Sequence, residues 1–467
     1  MIRKPSRRSR VRAVALTAAV MAVGMTAAAC GGSSSTKSAP SSSTSTSTST
    51  STSTSASAST STSASAPSGH TTVTFSYLWT GPQAAALQKI IGEFNASQSA
   101  ITVNGVSSPD FQKQLASMSA SKGSFDISDN FGNAVCSWAA KGILEPLDTY
   151  ITADSVDTSD FVPATFNQMK CNGKIYSMPV SLDDFELMYN KTEFAAAGIS
   201  TPPTTTEDLA TDIAKLTKVD ASGNITQLGF GNPETGTTLT TLGYAFGGTW
   251  DGADNKTPSP QDPGDIAALK FYATNITDKY GAGKVQKFTA GWGQYQSAQD
   301  PFFTGKVAMV IDGEWQPPYI ATTAPNLQWG VTDIPVPSAD PNLAGTTQAT
   351  ASTLFIPKNA PHKQAAFEFL KFITGKQGMA EFSLALGVLP ARTSLVDDPR
   401  YTAATPQFGT WLDALKNPNL HVLASQPYSQ QYASDLATAF KSVLDGTTSP
   451  EKAMANVASA AKQYAAP

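Results

Sequence analysis

Two pairs of acids stand where the flanking residues ask to be buried. Asp183 and Asp184 interrupt "PVSLDDFELMYNKTEF" (Pro179–Phe194), and Asp312 and Glu314 close "KVAMVIDGEW" (Lys306–Trp315). Paired carboxylates suit four chemistries: acid/base work on a glycosidic bond, a cation site, acceptors for a ligand's hydroxyls, or a solvated turn. In an extended segment, alternation sends Asp183 and Asp184 to opposite faces. One alone would meet a ligand, leaving the other to partner a backbone amide or a cation. No Gly-x-Ser-x-Gly elbow or His-Glu-x-x-His motif accompanies the acids. The three histidines (His70, His362, His421) show no ligand spacing with a cysteine, which argues against zinc. "DGADNKT" (Asp251–Thr257) has acidic spacing like a Ca²⁺ loop but lacks the later Gly and terminal Glu, and reads as a solvated turn. Tyr428 and Tyr432 form no Tyr-Tyr pair that would support iron. No metal or cofactor is expected, and an enzyme is disfavoured.

A sugar needs flat apolar faces for its C–H surfaces and planar polar groups for its hydroxyls. Trp79 (before "TGP"), Trp250 ("FGGTWDGADN"), Trp292 ("AGWGQY") and Trp315 ("DGEWQPP") each lie in a Gly-rich stretch, where an exposed indole is expected. Trp138, Trp329 and Trp411 read as core. Aromatics beside carboxylates also bind organic cations, so a polyamine stays open as an alternative ligand. A phosphate ester would want a basic cluster, and Arg is scarce in the body, chiefly Arg392 and Arg400.

The ends of the chain set an address. "MIRKPSRRSRVR" carries six Lys/Arg and no acid, and the 17 residues 13–29 are uncharged and mostly apolar. This is a signal-peptide pattern, slightly short for a membrane span. "TAAAC" followed by "GGSSS" resembles a lipobox, although Ala27 stands where Leu is usual; the resemblance implies cleavage before Cys30 and a lipid on it. Residues 1–29 are thus read as signal peptide and 30–70 as lipidated Cys30 plus a disordered Ser/Thr tether. Of 32 Lys/Arg, seven lie in this leader and tether, leaving 25 against 36 acids, a net of about −11. With no basic stripe, nucleic acid is excluded as a partner. Cys136 and Cys171, an even pair in an exported chain, are expected to form one disulfide.

What remains, about 398 residues, is too long for one core and calls for two domains. "TVTFSYLW", "ITVNGVS" and "FDISDN" read as strands separated by helices over "GPQAAALQKIIGEFNAS" and "FQKQLASMSAS". A β-α-β-α-β run predicts an α/β fold with a mostly parallel sheet flanked by helices. Ligands of such sheets sit beyond the carboxyl ends of the strands, where Trp79 and Asp129 fall. The pattern restarts after Asp184, with helices over 207–219 and 266–280, strands over 225–231, 306–315 and 326–337, and then helices to the end.

At this point the chain resembles the extracellular solute-binding proteins, family 1. The resemblance rests on Pro179-Val180-Ser181 with Leu187-Met188-Tyr189-Asn190 and Phe194, on "FFTGKVAMVIDGEW", on "AAFEFLKFITGKQGMAEF" and on "GVLPAR" (Gly387–Arg392), in that order. Glu186 departs from the small residue usual there. The resemblance implies a two-lobed periplasmic-binding-protein-like fold of type II, with lobes 71–181 plus 332–385 and 182–331 plus 386–467. It implies a monomer at the extracellular face of the cell membrane that binds a sugar between the lobes and hands it to ABC permease subunits. Trp315 matches the family's sugar-stacking Trp, and Asp183 matches a ligand-contacting Glu. The expected ligand-binding set is Trp79, Asp129, Asp183, Asp184, Trp250, Trp292, Glu314, Trp315, Arg392 and Tyr428.

Overall fold

The computed structural model describes residues 69–465. The expected signal peptide, Cys30 and most of the tether lie outside the described residues. The strands are β1 (Thr71–Tyr77), β2 (Ile101–Ser107), β3 (Ile127–Phe131), β4 (Lys170–Cys171), β5 (Lys174–Ile175), β6 (Ser177–Asn190), β7 (Lys218–Val219), β8 (Ile225–Phe230), β9 (Val307–Gly313), β10 (Trp329–Thr332), β11 (Thr347–Phe355) and β12 (Leu420–Val422).

The opening alternation folds as the periodicity predicts. β1 runs parallel to β2 and β3, with helices Gly81–Ser97 and Phe111–Ser119 between them. The first of these buries Leu87, Ile90, Ile91 and Phe94 on one stripe, the spacing of a helix docked on a sheet. Polar caps start other helices: Thr205 accepts from the Asp208 N–H and Ser449 from the Lys452 N–H, each satisfying a donor the helix leaves free. The apolar run 362–387 folds as two helices, Lys363–Thr374 and Lys376–Leu386, breaking at Gly375.

The sheet order is β2-β1-β3-β11-β6-β9-β8-β7, with β10 added to β6 and β12 to β11. Two lobes share it, and β6 joins them. Its first part, Ser177–Asp184, pairs antiparallel with β11. Its second part, from Phe185, pairs with β9 and β10. The change of partner falls between Asp184 and Phe185. Nearly every residue of this 14-residue strand is buried, so its acids are held inside the protein. Cys136, on helix Val135–Ala140, and Cys171 on β4 are disulfide-bonded with their Cα atoms 4.8 Å apart. Among the described residues no helix is long and apolar enough to cross a membrane.

Candidate functional site

A cavity of about 380 Å³ opens where β6 changes partners. Its walls come from three strand ends and the middle of a fourth strand: Trp79 just past β1, Phe131 at the end of β3, Asp312 near the end of β9, and Asp183 and Phe185 in the middle of β6. Tyr295 and Trp315 complete it from loops of the second lobe. Parallel strands leave their carboxyl ends free of crossover packing, and such ends collect ligand sites.

Trp315 is held on three sides. Its ring meets Phe185 edge-on, with centroids 5.2 Å apart and planes at 81°. Its indole N–H donates to the Tyr295 hydroxyl at 2.9 Å, which donates in turn to Asp312 Oδ1 at 2.7 Å. Beneath it lies Gly313, where an added Cβ would stand 2.0 Å from the indole ring. The Gly-x-Trp spacing is therefore steric: only glycine lets the indole fold back over its own strand. Asp312 also accepts from the Gln316 side chain at 2.7 Å and the Gly313 N–H at 2.9 Å, and burial pushes its carboxyl up to about 7.

The two central acids of β6 part company. Asp183 lines the cavity and accepts from the Ser352 hydroxyl at 2.7 Å. Asp184 faces away, accepting at Oδ1 from the Thr347 hydroxyl (2.8 Å) and the Phe185 N–H (2.7 Å). Glu314 is not in the cavity wall. It is fully buried, and its Oε2 accepts from the Asp184 N–H at 3.1 Å. Asp184 Oδ2, Glu314 Oε1 and Glu186 Oε2 have no hydrogen-bond partner, and among the described residues no Lys, Arg or His pairs with these acids. Burial without a counter-charge raises all four carboxyls, Asp183 included. Asp129 sits behind the wall. It ties the end of β1 by accepting from the Leu78 N–H at 2.8 Å, and burial lifts it to about 7.

Besides Asp129, Asp184 and Glu314, four more expected site residues lie outside the cavity wall. Trp250 is fully buried: its indole donates to the Thr240 carbonyl at 2.9 Å and its edge meets Phe440. Room for the ring comes from Gly243 on the preceding helix, where a Cβ would meet the Trp250 ring at 2.5 Å. Arg392 is also buried. It donates to the Thr374 carbonyl at 2.9 Å, lies over the Phe161 ring at 4.2 Å and pairs with Asp160 at 3.4 Å, a clamp between loops. The Tyr428 hydroxyl donates to the Lys256 carbonyl at 2.5 Å beside Asp251, away from the cavity. Trp292 is half-buried in a separate cavity with Tyr272 and Thr277. Of the expected residues, the cavity assembles Trp79, Asp183 and Trp315. It adds Tyr295, Asp312, Asn232, Glu234, Phe185 and Phe131. Tyr295 lies three residues beyond Trp292 in the stretch already noted; the aromatic in that stretch that reaches the cavity is the Tyr. No three His, Cys, Asp or Glu among the described residues could hold a metal ion.

Comparison with known proteins agrees with this architecture. The profile described as bacterial extracellular solute-binding protein matches residues 79–380, well over half of the chain. A binding protein of Brucella abortus is 28% identical over 364 residues, covering 72% of this chain and 84% of its own. The mannitol-binding protein of Pseudomonas aeruginosa is 24% identical over 364 residues, covering 74% and 81%. The solved structure of CpMnBP1 with mannobiose bound is 28% identical, with a TM-score of 0.74 over 84% of this chain and 100% of that one. Each of these is named as a binding protein or was solved with a bound sugar. The chain belongs to the bacterial extracellular solute-binding protein family.

Proposed function

We propose that the protein binds an oligosaccharide in the cavity where β6 joins the lobes and passes it to an ABC permease, held at the outer face of the membrane by a lipid on Cys30. The observation that carries this reading is the immobilised Trp315 indole beside buried carboxylate acceptors. A ring fixed by Phe185, Tyr295 and Gly313 offers a flat apolar face without further ordering cost, and Asp183 and Asp312 supply acceptors for hydroxyls. Similarity to mannobiose- and mannotriose-bound CpMnBP1, at 28% and 29% identity, and to the Pyrococcus abyssi maltotriose-binding protein, at 24% over 53% of that protein, supports a carbohydrate ligand. The lobes, 71–181 with 332–385 and 182–331 with 386–467, close on the ligand by a hinge motion about β6, and a monomer suffices.

A second reading has its own observation. Asp183, Glu234 and Asp312 line the cavity and no Lys or Arg does, which suits a polyamine. Tryptophan fluorescence titration of the body separates the two. Quenching or a blue shift with manno- or gluco-oligosaccharides, lost in Trp315→Ala, supports the sugar. Saturation by spermidine alone transfers the site to a cation.

A further inference from the structure

We propose that the ligand path does not end at Trp315 but runs on into the Trp292 chamber, so that the protein takes a chain longer than a disaccharide and stacks its far end on Trp292. This rests on the carbohydrate reading above. The chamber holds about 550 Å³, more than the cleft itself. Asn232 borders both. A middle cavity of about 280 Å³ shares Phe185 and Thr237 with the cleft, and Gly236 and Phe440 with the chamber. The path thus bends round the first turn of helix Thr235–Ala245. Gly236 stands at the bend, and a Cβ there would meet nothing within 4 Å.

The chamber, like the cleft, sets aromatic rings beside polar groups, with the Lys441–Asp445 pair in place of unpaired carboxylates. It pairs the Trp292 ring and Tyr272 with the polar side chains of Asn232, Gln286 and Thr277. Trp292 Nε1 and Thr277 Oγ1 have no partner in the protein. Tyr272 and Thr277 flank or lie in a π-helical turn, Ala273–Asp278, an irregularity that recurs at functional sites. Trp292 and Asn232 also follow the carboxyl end of β8 closely: a Cβ on Gly231 would meet the Trp292 ring at 3.2 Å.

The test is calorimetric titration with a ladder of linear manno- and gluco-oligosaccharides, from monosaccharide to hexasaccharide. In the native protein affinity should keep rising past the disaccharide, by about tenfold in all. Gly236→Leu, which plugs the bend and favours the helix, should flatten the ladder beyond the disaccharide, as should Thr277→Val with Trp292→Phe. The path is refuted if native affinity stops rising at the disaccharide, or if Gly236→Leu leaves the rise intact. Either result leaves disaccharide binding, and with it the carbohydrate reading, standing. Failure of every sugar to bind would remove both.

Discussion

Replacing Trp315 with alanine should separate binding from folding. In the free protein the half-buried indole makes one edge contact with Phe185 and one hydrogen bond to Tyr295. The first is worth about 0.5–1.5 kcal/mol and the second about 1 kcal/mol. Tyr295 keeps its bond to Asp312, so no buried donor is orphaned. The loss is about 2 kcal/mol, which for a chain of this size lowers the thermal midpoint by about 5 °C or less. In the complex the same ring becomes a desolvated aromatic anchor, whose truncation costs about 2–3 kcal/mol or more. Affinity should therefore fall by about 30- to 150-fold. Calorimetry with the best-binding disaccharide measures the second quantity and thermal unfolding without ligand the first. The reasoning fails if affinity stays within about threefold of native, or if the free variant loses ten or more degrees, on the order of 4 kcal/mol.

Other outcomes follow from the buried acids and the misassigned core. Asp312 and Asp129 titrate near 7, and Asp183, Asp184, Glu186 and Glu314 are raised by burial, whereas unfolded carboxyls titrate near about 4. The folded state thus holds more protons between these values, and stability is lost as pH rises through the folded pKa. The thermal midpoint of the free protein should drop from about pH 5 to about pH 8, and Glu314→Gln should flatten that slope; a midpoint that climbs would contradict the assignment. Trp250→Ala should cost about 3–5 kcal/mol in urea unfolding and leave the disaccharide affinity of the folded fraction unchanged, since neither its ring nor Phe440 beneath it lines the Trp315 cavity. Replacing Cys136 and Cys171 together by serine should cost about 4 kcal/mol by the loop-entropy relation, for a separation of 35 residues, read as a lower urea midpoint under non-reducing conditions.

Much of the frame was legible in local pattern. Period alone placed β1 to β3 and their helices, because those elements are decided by neighbours in sequence. The acids of β6 were legible in part: alternation separates Asp183, which lines the cavity, from Asp184, which accepts from a backbone amide although the expected ligand-binding set held both. What local pattern missed was direction. Trp315 and Trp250 both stand in Gly-rich stretches, yet Gly313 lets one indole lie at a cavity, while Gly243 on the preceding helix lets the other sink into a core. The difference comes from helix Ser429–Leu444, whose Phe440 and Tyr432 cover Trp250 from far along the chain. Tyr295 was passed over for the same reason, because the contact that gives it a role, with Asp312, spans 17 residues and no short motif encodes it. Arg392, read as a ligand contact from its turn, is claimed by Asp160, more than two hundred residues earlier in the chain.

The most direct measurement is a thermal-shift screen of residues 71–467 against mono- and oligosaccharides, spermidine-like polyamines and divalent metals. A ligand that binds only the folded state raises the midpoint by mass action, with about 2.7 kcal/mol gained at a hundredfold excess over Kd. A neutral oligosaccharide should raise it, and Trp315→Ala should abolish most of the rise. A midpoint unmoved by every carbohydrate and raised by a polyamine would contradict the assignment of the Trp315 cavity to a sugar.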